Sequence, residues 1–152
     1  MKVLIATDGS KFSLAAVKKA AGMLPNTAET EIKILSVYEH AVLTSGEPFG
    51  VLAEYHQEAE NLSRKVSENA VADAAALLAE AVPDAKFSVS TEIGRGNSAR
   101  VILEFAAEWN ADVIVMGSHG YGFWERNLLG SVSDSVVHHA PCSVMIIRGQ
   151  VE

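Results

Sequence analysis

Five short apolar runs alternate with four segments of helical period along this chain, and no other feature limits its fold so strongly. Residues 3–7, 31–39, 86–93, 112–117 and 143–148 carry the Val, Ile and Leu density of strands. After the first run, Leu14, Val17, Ala20, Ala21 and Leu24 fall on one helical face, and Pro25 closes it. A second helix aligns Leu62, Val66, Ala70, Ala74, Leu77 and Leu78 and stops near Pro83. Asn97 or Ser98 is placed to cap a third, along which Ile102, Phe105, Ala106 and Trp109 line up. Residues 130–139 make the fourth.

Strands that alternate with helices form a parallel sheet covered on both faces. Right-handed crossovers then leave few topologies. Val3-Leu4-Ile5-Ala6 and Val113-Ile114-Val115-Met116 are apolar without alternation, as strands buried on both faces must be, so they belong at the centre. The third run sets Phe87, Val89 and Thr91 against Ser88, Ser90 and Glu92, which suits a half-exposed edge. The expected fold is α/β: a doubly wound five-stranded parallel sheet, order 3-2-1-4-5, helices on both faces, Rossmann-like. Residues 1–152 read as one domain without internal repeat or linker, and residues 40–53, with Gly46, Pro48 and Gly50, read as a loop. The last run, Val144-Met145-Ile146-Ile147, is as apolar as the central ones yet falls at an edge. An exposed apolar edge invites pairing with another chain, so a homodimer joined along it is expected.

The charge balance narrows the partners. The net charge is −7, from 19 acidic against 12 basic residues, with no basic cluster to offset it. Such a chain repels a nucleic-acid backbone. It does not repel a mononucleotide held by main-chain amides. Cys142 is the only cysteine, so it has no thiol partner for a disulfide or a zinc cluster. No apolar run approaches the length of a membrane helix, and the stretch behind Met1 is too short for a secretion signal. A cytoplasmic protein without membrane contact is the expectation.

In a doubly wound sheet, ligands bind at the carboxyl ends of the strands where the winding reverses. That point lies between the first and fourth strands. The first ends in Thr7-Asp8-Gly9-Ser10. The fourth ends in Met116-Gly117-Ser118-His119-Gly120, and nine residues later comes Gly130-Ser131-Val132-Ser133. Gly117 and Gly120 let the backbone turn and approach a ligand. Gly130 and Ser131 open the fourth helix, whose free N–H groups and positive dipole end attract phosphate. Ser131 and Ser133 add hydroxyl donors. One exposed helix-end contact contributes only about 0.3–1 kcal/mol, so affinity needs several contacts plus burial of a base.

Other motifs carry less. Gly94-Arg95-Gly96-Asn97-Ser98-Ala99 matches a dinucleotide fingerprint but follows an edge strand, which makes it a turn. No glycine precedes a lysine, so a Walker A loop is absent, as is a hydrolase nucleophile elbow. His40, His56, His119, His138 and His139 have no metal-ligand spacing. His138 and His139 suit the negative end of the fourth helix. His119 either touches a phosphate or sits on the loop surface. Arg126, between the two glycine pairs, either reaches a terminal phosphate or is an ordinary loop arginine. Asp8 is either a ligand contact or a turn or cap residue. Cys142 reads as a small buried residue. Phe49, Phe123 and Trp124 are apolar residues in expected loops, open either to ligand closure or to a partner.

The pattern G-x-x-G, nine residues, G-S at Gly117, Gly120, Gly130 and Ser131 resembles the ATP-binding signature of the universal stress protein family. The resemblance extends to the opening Val3-Leu4-Ile5-Ala6-Thr7-Asp8-Gly9-Ser10, to Ala111-Asp112-Val113-Ile114-Val115-Met116-Gly117 and to Ala140-Pro141-Cys142-Ser143-Val144. It implies an adenine nucleotide alpha hydrolase-like fold, a homodimer, and ATP, ADP or AMP as ligand. Asp8, beside Ala6 and Thr7, would meet the ribose; Val37 would line the adenine pocket; Met116 and Gly117 would pack near base and ribose. His119, Gly120, Gly130, Ser131, Val132 and Ser133 would surround the phosphates, with Mg²⁺ on them. Many nucleotide-binding members carry Pro where this chain has Ala6, a departure that would loosen the adenine end. The resemblance implies a regulatory factor in stress adaptation with at most slow ATP hydrolysis. A nucleotide-free dimeric interaction module and a cAMP-binding protein are the alternatives.

Overall fold

The computed structural model describes residues 1–39, 49–118 and 129–148. The strands β1 (Lys2–Ala6), β2 (Glu31–Tyr38), β3 (Ser88–Arg95), β4 (Val113–Gly117) and β5 (Ser143–Ile147) form one sheet in the order β3-β2-β1-β4-β5. Every pairing is parallel, with Val3 level with Ile32 and Val113. The helices are α1 (Lys11–Ala21), α2 (Phe49–Ala81), α3 (Ser98–Trp109) and α4 (Ser131–His139).

The two faces of the sheet follow from the period of two along a strand. Val3 and Ile5 point with Ile32, Ile34 and Val115 into a core that α1 and α2 close through Val17, Ala20, Val71, Ala74 and Leu78. Leu4 and Ala6 point the other way, with Leu35, Ile114 and Met116, and meet Ile102, Ala106 and Val136 of α3 and α4. Burying each such Leu or Ile contributes about 1.5–3 kcal/mol. The winding therefore reverses between β1 and β4, as the apolar runs require.

Local chemistry sets the helix ends. The Ser10 hydroxyl caps α1 by accepting from the Ser13 amide at 3.2 Å. Asn97, rather than Ser98, caps α3 by accepting from the Arg100 amide at 3.1 Å. Asn110 ends α3 in the left-handed region, φ 54°. Below it the Lys2 and Lys33 ammonium groups lie 5.6 and 5.0 Å from the Trp109 ring centre, pinning α3 at the amino ends of the strands.

Three expectations change. Residues 49–53 open α2 instead of ending a loop. Leu62 and Val66 are not core residues: they are 64% and 57% exposed, and α2 packs through Ser67, Ala70, Val71, Ala74 and Leu78. A single face cannot hold both sets, because at 3.6 residues per turn Leu62 and Val66 lie roughly a quarter-turn from Ala70, Ala74 and Leu78, while Ser67 beside Val66 is buried. The third strand starts at Ser88, not residue 86, and Val89 and Thr91 are exposed with their neighbours. Along this strand only Ile93 and Gly94 gain cover. Among the described residues no helix is long and apolar enough to cross a membrane.

Candidate functional site

The first half of the site is the bend after β1. Ala6 is 7% exposed, and the Thr7 amide donates to the Leu35 carbonyl at 3.0 Å. The Thr7 and Ser13 hydroxyls share a hydrogen bond of 2.9 Å, and Thr7 Oγ1 also accepts from the Gly9 amide at 3.2 Å. This network holds the bend from both sides. Gly9 has φ +74°, and a Cβ there would stand 2.8 Å from that of Ala70. Both the backbone conformation and the approach of α2 require glycine. Asp8 is exposed, and its Oδ1 accepts from the Ser10 amide at 3.0 Å. Its carboxylate closes the turn while also lining the cavity described below, and the helix cap is Ser10.

The second half is the start of α4. Gly130 occupies the N-cap position with no side-chain hydrogen bond, whereas Ser10 and Asn97 cap their helices. The first N–H groups of α4, on Ser131, Val132 and Ser133, thus have no intrahelical acceptor. Ser133 is buried, and its hydroxyl donates toward the carbonyls of Ser118 at 3.0 Å and Gly130 at 2.9 Å. The Gly130 amide donates to the same Ser118 carbonyl at 2.9 Å. Ser133 therefore ties the end of β4 to the start of α4, and its proton is spent on the fold, whereas the Ser131 side chain is exposed.

Between the two halves lies a cavity of about 590 Å³, within the range of small-molecule sites (about 300–1,000 Å³). Its apolar part is lined by Ala6, Leu35, Val37, Ile102 and Met116, which belong to the α3 and α4 side of the core. Its polar part is lined by Thr7, Asp8, Ser13, Gly117, Gly130, Ser131, Val132 and Ser133, with Glu39 and Ser98. An apolar slot beside an uncapped helix start suits a ligand with a flat apolar end and an anionic end. Among the described residues no Lys or Arg lines the cavity, and the main-chain amides at the start of α4 are the donors there. Three or more clustered His, Cys, Asp or Glu do not occur among the described residues.

Of the residues expected from sequence, Ala6, Thr7, Asp8, Val37, Met116, Gly117, Gly130, Ser131, Val132 and Ser133 meet at this cavity. His119 and Gly120 lie outside the described residues, as do Phe123, Trp124, Arg126 and the side chain of Phe49. Sequence reasoning missed Ser13, Leu35, Glu39, Ser98 and Ile102. Leu35 was legible, since it shares the strand face of Val37 two residues on. Ile102 follows Ser98 by one helical turn. Nothing in the sequence marked Ser13 or Glu39. The fingerprint glycines serve packing: a Cβ on Gly94 would stand 2.5 Å from Val101 Cγ1 and 3.2 Å from Val37 Cγ2. Gly96 turns the chain, its amide donating to the Tyr38 carbonyl at 2.9 Å.

Residues 1–148 match the family model described as universal stress protein family. A universal stress protein of Methanocaldococcus jannaschii is 32% identical over 148 residues, covering 97% of this chain and 81% of its own. The universal stress protein YxiE of Bacillus subtilis is 32% identical over 154 residues, covering 97% and 98%. Among solved structures, UspA of Lactobacillus plantarum has a TM-score of 0.77 and 25% identity over 97% of each chain. Two more distant neighbours share the fold: an Arabidopsis thaliana family protein with AMP bound (TM-score 0.58, 21% identity, covering 99% and 93%) and a universal stress protein in complex with cAMP (0.61, 23%, 99% and 98%).

Proposed function

The chain belongs to the universal stress protein family, and from that premise we propose that it binds an adenine nucleotide, ATP or AMP, and acts as a regulatory factor in stress adaptation in the cytoplasm. The observation that carries this reading is the uncapped start of α4 opening into a cavity whose other end is apolar. The base lies against Val37 and Met116, the ribose reaches Asp8, and the phosphates take the amides of Ser131 to Ser133, with Mg²⁺ on the phosphate oxygens. That neighbours of the same fold hold AMP and cAMP supports the nucleotide class. Hydrolysis is slow at most, because transition-state charge in phosphoryl transfer is stabilised by Lys, Arg and metal clamps, and no Lys or Arg lines this cavity among the described residues. The working form is a homodimer paired along β5, whose strand has β4 as its one sheet neighbour and whose Val144, Met145 and Ile146 are half-exposed.

Isothermal titration with ATP, AMP and cAMP tests the reading. Saturable heat with ATP or AMP, displaced by neither guanosine nor cytidine nucleotides, is expected. Absence of heat with all three would leave a nucleotide-free interaction module. Tighter binding of cAMP than of ATP would turn the reading toward a cyclic-nucleotide sink.

A further inference from the structure

The amino-terminal half of α2 leaves an apolar stripe uncovered. Tyr55 is 73% exposed, Leu62 64% and Val66 57%, and Ala59 between them is exposed as well. Their spacing alternates between four and three residues, the seam of a coiled coil, with Ala59 and Val66 at one seam position and Tyr55 and Leu62 at the other. At 3.6 residues per turn the stripe lies roughly a quarter-turn from the Ala70, Ala74 and Leu78 face that packs on the sheet. Covering the core therefore does not cover the seam.

The charges beside the seam select the occupant. Glu58 and Lys65 occupy equivalent heptad positions on the same flank, and both are exposed. In an antiparallel pair of identical helices, equivalent flanking positions face each other. A second copy then sets its Val66 opposite Tyr55 and its Leu62 opposite Ala59, where the small residue admits the large one. The same register sets Lys65 of each copy opposite Glu58 of the other, and His56 opposite Ser63 on the other flank. A parallel pairing would instead face Glu58 and Lys65 with Ser63 and Ala70, so it lacks this charge match. Lys65 is only loosely held in its own helix, 3.8 Å from a Glu68 carboxylate that Arg64 also contacts at 3.2 Å.

We infer that the α2 seam is a self-association surface, taking a second copy of this chain in an antiparallel two-fold contact distinct from the β5 edge. Such an interface is isologous and small, so it belongs to the weak, concentration-dependent class.

The test is sedimentation equilibrium of the full chain up to millimolar concentration, for the wild type, Glu58→Lys, Lys65→Glu and the double exchange, with circular dichroism to verify the fold. Each single exchange places like charges opposite each other twice and weakens association about tenfold. The double exchange restores it to within about twofold of wild type. An association through β5 does not sense these charges and shifts none of the four proteins relative to the others. A wild type that is monomeric throughout, equal association in all four, or a double exchange no better than the singles overturns the inference. The first of these outcomes points to a different protein on the seam.

Discussion

Replacing Gly130 by Asp separates the anion seat from the fold. Gly130 has φ −64° and ψ 155°, an extended conformation open to any residue, and it caps α4 without a side-chain hydrogen bond. Asp is a strong N-cap, and its two carboxylate oxygens would accept from the amides of Val132 and Ser133 and gain a few tenths of a kcal/mol (roughly 0.3) over glycine. Those are the amides assigned to the nucleotide phosphates. Losing two charge-assisted hydrogen bonds at the lower end of their range, about 1.5 kcal/mol each, removes about 3 kcal/mol of binding. That is a factor of about 100 in Kd for ATP, before any repulsion between carboxylate and phosphate. Adenosine, which has no phosphate, should bind the variant almost as it binds the wild type. Isothermal titration with ATP and adenosine, together with thermal melting of the unliganded protein, reads all three quantities. ATP affinity within about threefold of wild type (under 1 kcal/mol) in a variant that melts no lower would refute the placement of phosphates at α4. Equal losses for ATP and adenosine would refute the division of the cavity into apolar and anionic ends.

Three other outcomes follow from the same geometry. Gly9→Ala combines a left-handed backbone with a 2.8 Å approach to Ala70, and should destabilise by about 3 kcal/mol, lowering Tm by roughly 6–12 °C; a Tm within a degree of wild type would show that α2 can yield. Ser133→Ala leaves the Ser118 carbonyl with one donor fewer and should destabilise by about 1–3 kcal/mol in urea unfolding; Ser133→Thr should retain most of the stability, and equal losses in both variants would contradict the tie. Partial burial, reinforced by Asp112 and opposed by a hydrogen bond to the Ile114 backbone, pushes the Cys142 thiol up from its ordinary value. Iodoacetamide should then modify Cys142 more slowly than free cysteine at mildly alkaline pH, with the rate still climbing above the range where free cysteine levels off; matching rates would remove that argument.

Much of the architecture was legible because it rests on local patterns. The apolar runs, the helical period of α1 and α3 and the cap at Asn97 depend on residues near one another in the chain, whereas the Ser10 cap was missed in favour of Asp8. The glycine pattern located the cavity because Gly117 ends β4 and Gly130 starts α4, two element ends the spacing marks. The failures share a cause. Leu62 and Val66 follow the four-residue spacing of Ala70 and Ala74, yet that spacing drifts by about 40° per step, and which side of α2 meets the core is decided by the elements packed against it. Ser133 read as a ligand donor because a sequence does not show where a hydroxyl proton goes.

What the residue order determined alone is the set of elements and their order, because hydrophobic period and backbone sterics act over a few residues. The tertiary structure decided which side chains share the cavity, that Gly9 and Gly94 stand against α2 and α3, and that Tyr55, Ala59, Leu62 and Val66 are left uncovered. Those outcomes depend on distances between segments far apart in the chain, where packing and burial, not local propensity, set the free energy.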